Sequence, residues 1–333
     1  MNDGMFTFFF IAVFVIAIIT FISIMLKNRK NLVKRENLVE NNQFVKNNKD
    51  MFEKLISDNA EIRKRYLTRI IITITVAAVI NLILLIVNSR LYVLIALVFI
   101  ICFIFVGIDS SKYSKVFKEE VVANIIKSFD NDLEYYPLRG FSSSEYNYCR
   151  FPEECDRYHS EDLIVNNKTG FCYADILIES EHEDSDGKTY TTVEYEGSLA
   201  KIDIKNVNCN IYLGGMKRFL FGDNNCVKVN FEDDEFNKLF KAYTTNELAA
   251  YKILTPDVME QFVHLKKNTY GDIDIRILND KLYIRFDSGN GFVPSLTSER
   301  REKESIVASI AVLEEVINVM NNVKKLLESK NDN

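Results

Sequence analysis

The stretch IIITITVAAVINLILLIVNSRLYVLIALVFIICFIFVGI, residues Ile70–Ile108, decides the architecture of this chain. It contains two apolar runs, which are separated only by the polar tripeptide Asn88-Ser89-Arg90. As a helix, each run would be about 27 Å long, which is just enough to cross a hydrocarbon core of about 30 Å. The sequence therefore predicts a transmembrane hairpin, with helices at about 70–88 and 91–108.

A third apolar run, Met5–Leu26, contains no charged residue and is long enough to span a bilayer. The competing interpretation is a cleaved signal peptide. However, no Lys or Arg precedes the run, and no pair of small residues with cleavage-site spacing follows it. We therefore expect a retained helix at about 5–26. The predicted membrane region is 1–108, and it includes a polar juxtamembrane segment at 27–69 whose apolar spacing indicates a partly amphipathic helix.

Basic residues around these runs predict their orientation. Residues 27–69 contain 12 Lys or Arg and 6 Asp or Glu, and loops rich in Lys and Arg stay in the cytoplasm. The residues that flank the second span most closely are Arg63, Lys64, Arg65 and Arg69. We therefore expect a multi-pass protein of the cell membrane, with the N-terminus outside and residues 109–333 in the cytoplasm.

The spans themselves argue for anchoring rather than transport, because none contains an ionisable residue at membrane depth. Asn81 is the most polar side chain inside the hairpin, and in a lipid environment such a residue is expected to hydrogen-bond across a helix interface. The lipid bilayer is accordingly the first predicted partner.

The remainder of the chain alternates between strand-like and helix-like segments in separate blocks, which predicts an α+β domain with an antiparallel sheet and packed helices. Short turns separate the candidate strands, among them Glu196-Gly197 and Asn279-Asp280. The helices expected from apolar periodicity include Ser110–Leu133, Asp233–Tyr243 and Ser298–Ser329.

The charge and cysteine content of residues 109–333 exclude some functions. This region carries 28 Lys or Arg against 40 Asp or Glu, which argues against nucleic acid as a partner because phosphate binding needs clustered cations. It contains five of the six cysteines, an odd number without regular spacing, so a disulfide framework is not expected.

One short run concentrates groups capable of acid, base or nucleophilic chemistry. It comprises Asp156, Arg157, His159, Ser160, Glu161 and Asp162. His159 could serve as a base that Glu161 orients, and Ser160 could serve as a nucleophile. The alternative is a structural role at the start of a helix or strand, with Ser160 bonded to the backbone. No nucleophile-elbow motif accompanies the run.

Two other patterns carry candidate metal ligands. Cys149, Cys155, His159 and Cys172 are suitable ligand types for zinc, but their spacing differs from that of structural zinc sites. The segment Glu179–Gly187 includes a D-x-D-G sequence but lacks the remaining ligands of a calcium-binding loop. No phosphate-binding or dinucleotide motif is present. We therefore predict neither a metal nor a cofactor.

Several segments together resemble a bacterial family known as domain of unknown function 3137. They are YSKVFKEEVVANII, LEYYP, DRYHSEDLI, VNFEDDEFNKLFKAYTTNELAAYKILTPDVMEQF, LYIRF and FVPSL, and they extend from Tyr113 to Leu296. The resemblance implies an integral membrane protein in which a helical hairpin precedes a soluble α+β domain. It implies no catalytic residue, because the family has no assigned activity.

Together these patterns favour a membrane protein that presents a cytoplasmic binding or scaffolding module. Its expected partners are the bilayer and either another protein or a second copy of the chain. The alternative hypothesis is a membrane-tethered enzyme that uses the polar run Asp156–Asp162.

Overall fold

A computed structural model of the chain describes residues 42–87, 91–151, 155–205, 207, 209–214, 226–269, 271–287 and 291–329. The predicted span Met5–Leu26 and the hairpin tip Asn88–Arg90 lie outside the described residues. The chain divides into two compact units. The described part of the first, here the helical unit, comprises 48–87, 91–122 and 293–305, and the rest forms the sheet unit.

The helical unit is built on two long apolar helices. Its elements are α2 (Lys49–Asp58), α3 (Ala60–Val87), α4 (Tyr92–Phe117), a π-helical turn (Lys118–Val122) and the first residues of α10 (Glu299–Glu328). Both predicted spans are helical, and both helices extend beyond the apolar runs into the adjoining polar sequence. Phe52, Tyr113 and Phe117 are fully buried, so the polar ends of these helices have a packed core of their own.

The helix predicted at Ser110–Leu133 therefore begins as the continuation of the apolar helix α4. The α-helical path ends earlier than predicted, because α5 (Ala123–Phe129) is its last segment and Leu133–Tyr136 is a strand. Tyr135 and Tyr136 thus belong to the sheet, and Pro137 directly follows the strand.

The sheet unit contains nine strands among the described residues, and all neighbouring strands pair antiparallel. Their order across the sheet is β1-β2-β3-β4-β9-β8-β5-β7-β6. The strands are β1 (Leu133–Tyr136), β2 (Arg157–Asn166), β3 (Phe171–Glu183), β4 (Thr189–Asp203), β5 (Asn210–Gly214), β6 (Val227–Val229), β7 (Lys241–Thr244), β8 (Ile273–Leu278) and β9 (Lys281–Phe286). The predicted α+β class with an antiparallel sheet and packed helices is confirmed.

Two local predictions were wrong. Gly197 does not form a turn but lies inside β4, where a Cβ atom would approach the carbonyl oxygen of Phe286 to 2.5 Å. Glycine is needed there because the neighbouring strand comes too close for any side chain. The helix expected at Asp233–Tyr243 ends at Leu239, and Tyr243 lies in β7 between β5 and β6.

Short helices connect and cover the strands of the sheet unit, and side chains satisfy the first backbone amides of several of them. These helices are α1 (Gln43–Asn47), α6 (Ser143–Cys149), α7 (Asp234–Leu239), α8 (Glu247–Ile253) and α9 (Pro256–Asn268). Ser142, Asp233 and Asn246 accept hydrogen bonds from amides in the first turns of α6, α7 and α8. Every residue of β8 is buried, so both faces of the sheet are covered at its centre.

Candidate functional site

The polar run predicted from the sequence lies on β2, where successive side chains point to opposite faces of the sheet. His159 pairs with Leu177 and is exposed, whereas Ser160 pairs with Ile176 on the other face. The strand therefore does not bring the proposed base and nucleophile together. At the start of the run, Asp156 accepts a hydrogen bond from the Glu181 amide, and Arg157 pairs with the Glu181 carboxylate.

Ser160 makes two structural hydrogen bonds. Its hydroxyl donates to the carbonyl oxygen of Asp175 at 2.8 Å and accepts from the Phe141 amide at 3.1 Å. The chain passes so close to this hydroxyl that a Cβ atom at Gly140 would overlap it. The serine thus fixes the segment before α6 to the sheet, as in the structural interpretation of this run.

A first set of polar contacts involves Asp162, which is buried, and Asp175, which is half-buried; both carboxylates accept hydrogen bonds from hydroxyls. Asp162 lies at a bulge with a φ of 60° and accepts a hydrogen bond from Tyr135. Asp175 accepts from the hydroxyls of Ser198, at 2.5 Å, and Tyr173, at 3.3 Å. Burial, and then the charge of Asp162, raises the pKa of Tyr135. The Tyr135 bond links β1 to β2, and the Ser198 bond links β3 to β4.

A second buried network occupies the face of the sheet that α6 covers. Asp274 of β8 and Arg285 of β9 lie directly opposite each other and form an ion pair, although their side chains are only 8% and 2% exposed. The Tyr212 hydroxyl donates to Asp274 at 2.7 Å, and Arg285 donates to the Tyr146 hydroxyl at 3.2 Å. The carboxylate and the guanidinium group are therefore both hydrogen-bonded within the core.

Aromatic rings complete the surroundings of Arg285. Its guanidinium carbon lies 4.1 Å from the ring centroid of Tyr195 and 4.5 Å from that of Phe151. Stacking of this kind stabilises a desolvated guanidinium through the negative faces of the rings. The group is inaccessible to solvent, so its arrangement favours a role in folding rather than in binding.

A concave surface of the sheet unit lies between α9 and α10, and we call it the α9–α10 groove. It has a volume of about 310 Å³ and is lined by Glu260, Gln261, His264, Glu315, Asn318, Val319 and Asn322. The Glu315 carboxylate lies 3.0 Å from His264 Nε2 and accepts from Asn268 at 3.1 Å. Asn322 donates to Gln261 at 3.1 Å.

The chemistry of this groove is that of a hydrogen-bonding surface. Two carboxylates and three amides line it, with a single aliphatic residue, Val319. Glu260 and Asn318 are exposed and make no hydrogen bond or ion pair to any residue in the described part of the chain, so their polar atoms are available to a ligand. The excess of carboxylates favours a ligand with N–H donors or a positive charge.

The predicted flanking cations of the helical unit have different environments. Arg63 points inward and lies 2.5 Å from Glu299 and 3.5 Å from the fully buried Glu302. Arg69 pairs with Asp109 of α4 at 3.2 Å. Lys64 and Arg65 are exposed. The sequence placed these four cations in one group, whereas among the described residues only Arg63 and Arg69 form ion pairs.

Glu302 is the centre of a hydrogen-bonded cluster in the helical unit. It accepts hydrogen bonds from the Tyr113 hydroxyl at 2.7 Å, from Asn59 at 3.2 Å and from the Ser295 amide at 3.2 Å. Burial raises the pKa of Glu302, and these donors and Arg63 oppose that shift. The cluster ties the beginning of α10 to α3 and α4.

The cysteines of the described region are free thiols. Cys149, at the end of α6, is fully buried, and burial raises its pKa to about 12. Across the ranges that the structure describes, no three His, Cys, Asp or Glu residues come together as metal ligands. Cys149, Cys155, His159 and Cys172 are all within those ranges, and they do not form such a group.

Comparison with known proteins supports the resemblance noted in the sequence. Residues 196–326 match the family described as "Protein of unknown function (DUF3137)", which confirms the resemblance to that family over this part of the chain. The match begins and ends later than the Tyr113–Leu296 stretch. It includes the Asp274–Arg285 pair and the whole α9–α10 groove, whereas the polar run on β2 lies outside it.

Two further comparisons give no functional information. No curated protein matches the chain. The crystal structure of the mycobacterial trehalose monomycolate transport factor A, TtfA, aligns over 60% of this chain and 95% of its own, with 9% identity and a TM-score of 0.27. A likeness of that size carries no argument about fold or function.

Proposed function

We propose that this chain is an integral membrane protein whose α3 and α4 anchor a cytoplasmic α+β binding module. The observation that carries the proposal is the exposure of the apolar windows in these helices. The most apolar 18-residue segments of α3 and α4 have mean hydropathies of 3.0 and 2.8, yet only 11% and 6% of these segments is buried. Side chains such as Ile86, which is 76% exposed, would contact water in a soluble protein, whereas lipid solvates them favourably.

A third helix, Glu299–Glu328, is also long and apolar enough to cross a membrane by length and composition. It differs from α3 and α4 because 67% of its apolar window is buried within the protein. Its apolar residues already have protein neighbours, so we assign it to the core and keep two described spans.

The binding role rests on the α9–α10 groove. Its polar lining and its position within the family match support a site for a protein segment that presents N–H donors or basic side chains. Glu260 and Asn318, which have no partner among the described residues, support the same site. Catalysis by the polar run is less well supported, because Ser160 is engaged with backbone groups and His159 points to the other face. We therefore propose recruitment or assembly at the membrane rather than a reaction.

The experiment that tests the binding role compares two substitutions on α10. Asn318→Lys places a cation in the groove, and Lys325→Asn makes the reverse change at an exposed position outside it. Full-length protein, in membranes and carrying a photo-crosslinker at Gln261, should form a defined adduct. The Asn318→Lys variant should lose the adduct and the Lys325→Asn variant should keep it. An adduct that is equal in both variants would contradict the groove as the binding site.

A further inference from the structure

The further inference concerns exposed cations at the polar ends of the apolar helices. Four basic residues, Arg63, Lys64, Arg65 and Arg69, precede the apolar run of α3. Arg63 is committed to Glu299 and Glu302, and its side chain is only 11% exposed. Arg69 is neutralised by Asp109. Two of the four basic residues are therefore paired with carboxylates, and two are left to interact with a ligand.

Lys64 and Arg65 of α3 remain from this set, and Lys112 of α4 is a further basic residue close to the apolar runs. All three are exposed, and none forms a hydrogen bond or an ion pair with another residue in the described ranges. We call these three residues the basic collar. Unpaired cations on a folded surface are ordinary when isolated, so their position relative to the apolar helices decides their significance.

Helix geometry gives that position. With a rise of about 1.5 Å per residue, Lys64 and Arg65 lie about 9 and 7.5 Å before the first residue of the apolar run at Ile70. Lys112 lies about 6 Å beyond the end of the second run at Ile108. The polar layer on each side of a hydrocarbon core is roughly 5–8 Å thick. The side chains of the basic collar therefore reach the depth of lipid phosphates.

Two contacts between α3 and α4 support the same level. The rings of Tyr66 and Tyr113 lie 5.8 Å apart, and the Arg69 guanidinium lies 3.2 Å from the Asp109 carboxylate. Tyrosine is enriched where a membrane helix passes through the headgroup region. Because these pairs fix α3 beside α4, the collar residues of the two helices share one layer.

We propose that the basic collar binds the headgroups of anionic phospholipids. The proposal rests on the anchoring role proposed above. A lipid is favoured over free phosphate because exposed apolar side chains adjoin the cations, with Ile71 54% exposed and Ile108 43% exposed. A lipid can contact the cations with its negative headgroup and the apolar side chains with its acyl chains, whereas an inorganic anion can contact only the cations.

The test measures lipid selectivity of the full-length chain. The protein is reconstituted in vesicles that contain equal amounts of anionic and zwitterionic phospholipid, floated, extracted in mild detergent and purified. The two lipid classes that remain bound are then quantified. We expect anionic lipid to be enriched, and each of Lys64→Gln, Arg65→Gln and Lys112→Gln to lower the enrichment about fivefold, which corresponds to roughly 1 kcal/mol per basic residue.

The matched control is Lys54→Gln, which removes one exposed charge from α2, the helix that precedes α3. It should leave the enrichment unchanged, as should inorganic phosphate added at constant ionic strength. Equal retention of both lipid classes by floated protein would overturn the collar while leaving the anchor intact. Loss of enrichment on adding phosphate would show a simple anion site and would also overturn it. Failure to float would refute the anchor itself.

Discussion

Breaking the buried ion pair Asp274–Arg285 should destabilise the sheet unit strongly. In an Asp274→Leu variant, the Arg285 guanidinium would lose its carboxylate partner in a site where its side chain is only 2% exposed. Leaving one partner of a buried pair uncompensated costs about 3–5 kcal/mol. For a unit of about 200 residues, that loss lowers the melting temperature by about 6–20 °C.

The double variant Asp274→Leu/Arg285→Met should recover most of this loss, because no charge would then be buried. Recovery should be incomplete by up to about 2 kcal/mol, since the stacking of Arg285 on Tyr195 and Phe151 is also removed. A matched control is Asp132→Leu, which breaks the exposed pair with Lys168 and should cost less than about 1 kcal/mol.

The assay is thermal and urea unfolding of the full-length protein in detergent, followed by near-ultraviolet circular dichroism of its tyrosines. The chain contains 16 tyrosines and no tryptophan, and several of the tyrosines surround the ion pair. A loss below about 1 kcal/mol in Asp274→Leu would refute the reasoning. So would a double variant that is less stable than the sum of the two single variants predicts.

Three further predictions use matched or internal comparisons. Gly214→Ala should destabilise the sheet unit, because the new Cβ atom would overlap Asp274 Oδ1, whereas Gly107→Ala, with nothing within 4 Å, should be neutral or stabilising in the same unfolding assay. Burial raises the pKa of Glu302 above its usual value of 4.5. The contribution of Glu302 to the free energy of unfolding is therefore complete below pH 4.5 and is lost as the pH rises through the pKa of the folded state. In a series of unfolding curves at different pH, the Glu302→Gln variant should show a smaller fall in stability over this range. Cys149, with its pKa raised to about 12, should resist alkylation at pH 8 until the protein unfolds, as mass spectrometry would measure.

The helices of the hairpin could be predicted because the signal is local and compositional. A run of apolar residues long enough to span a bilayer has few alternative structures, whatever the rest of the chain does. The β8–β9 hairpin was predictable for a similar reason. Asn279 and Asp280 both adopt positive φ, as the two-residue turn expected from their types requires.

The register of that hairpin also contained a signal that sequence reasoning missed. A two-residue turn at Asn279-Asp280 places Asp274 directly opposite Arg285, as the structure has it. Two opposite charges facing each other inside otherwise apolar strands indicate a buried pair. The partners Tyr212 and Tyr195 could not be found in this way, because they come from β5 and β4, which the sequence does not connect locally to β8 and β9.

The sheet order and the groove were beyond local patterns. Placing β9 and β8 between β4 and β5 depends on pairings between distant segments, which no turn motif specifies. The α9–α10 groove requires two helices separated by 30 residues to align, and its amides have the pattern of ordinary exposed positions in the sequence. For Asn81, the sequence predicted a hydrogen bond across helices that the structure does not show. The residue is only 5% exposed, and its amide has no hydrogen-bond partner in the described region.

The measurement that most directly tests the central claim is the sidedness of the sheet unit in intact cells. In a chain without its native cysteines, one new cysteine is placed at Ser89, in the hairpin tip, and in a second variant at Asp186, in the exposed turn between β3 and β4. A membrane-impermeant maleimide should label Ser89→Cys in intact cells and should label Asp186→Cys only after permeabilisation. Labelling of Asp186→Cys from outside, or recovery of the protein in the soluble fraction, would contradict a membrane anchor that holds a cytoplasmic domain.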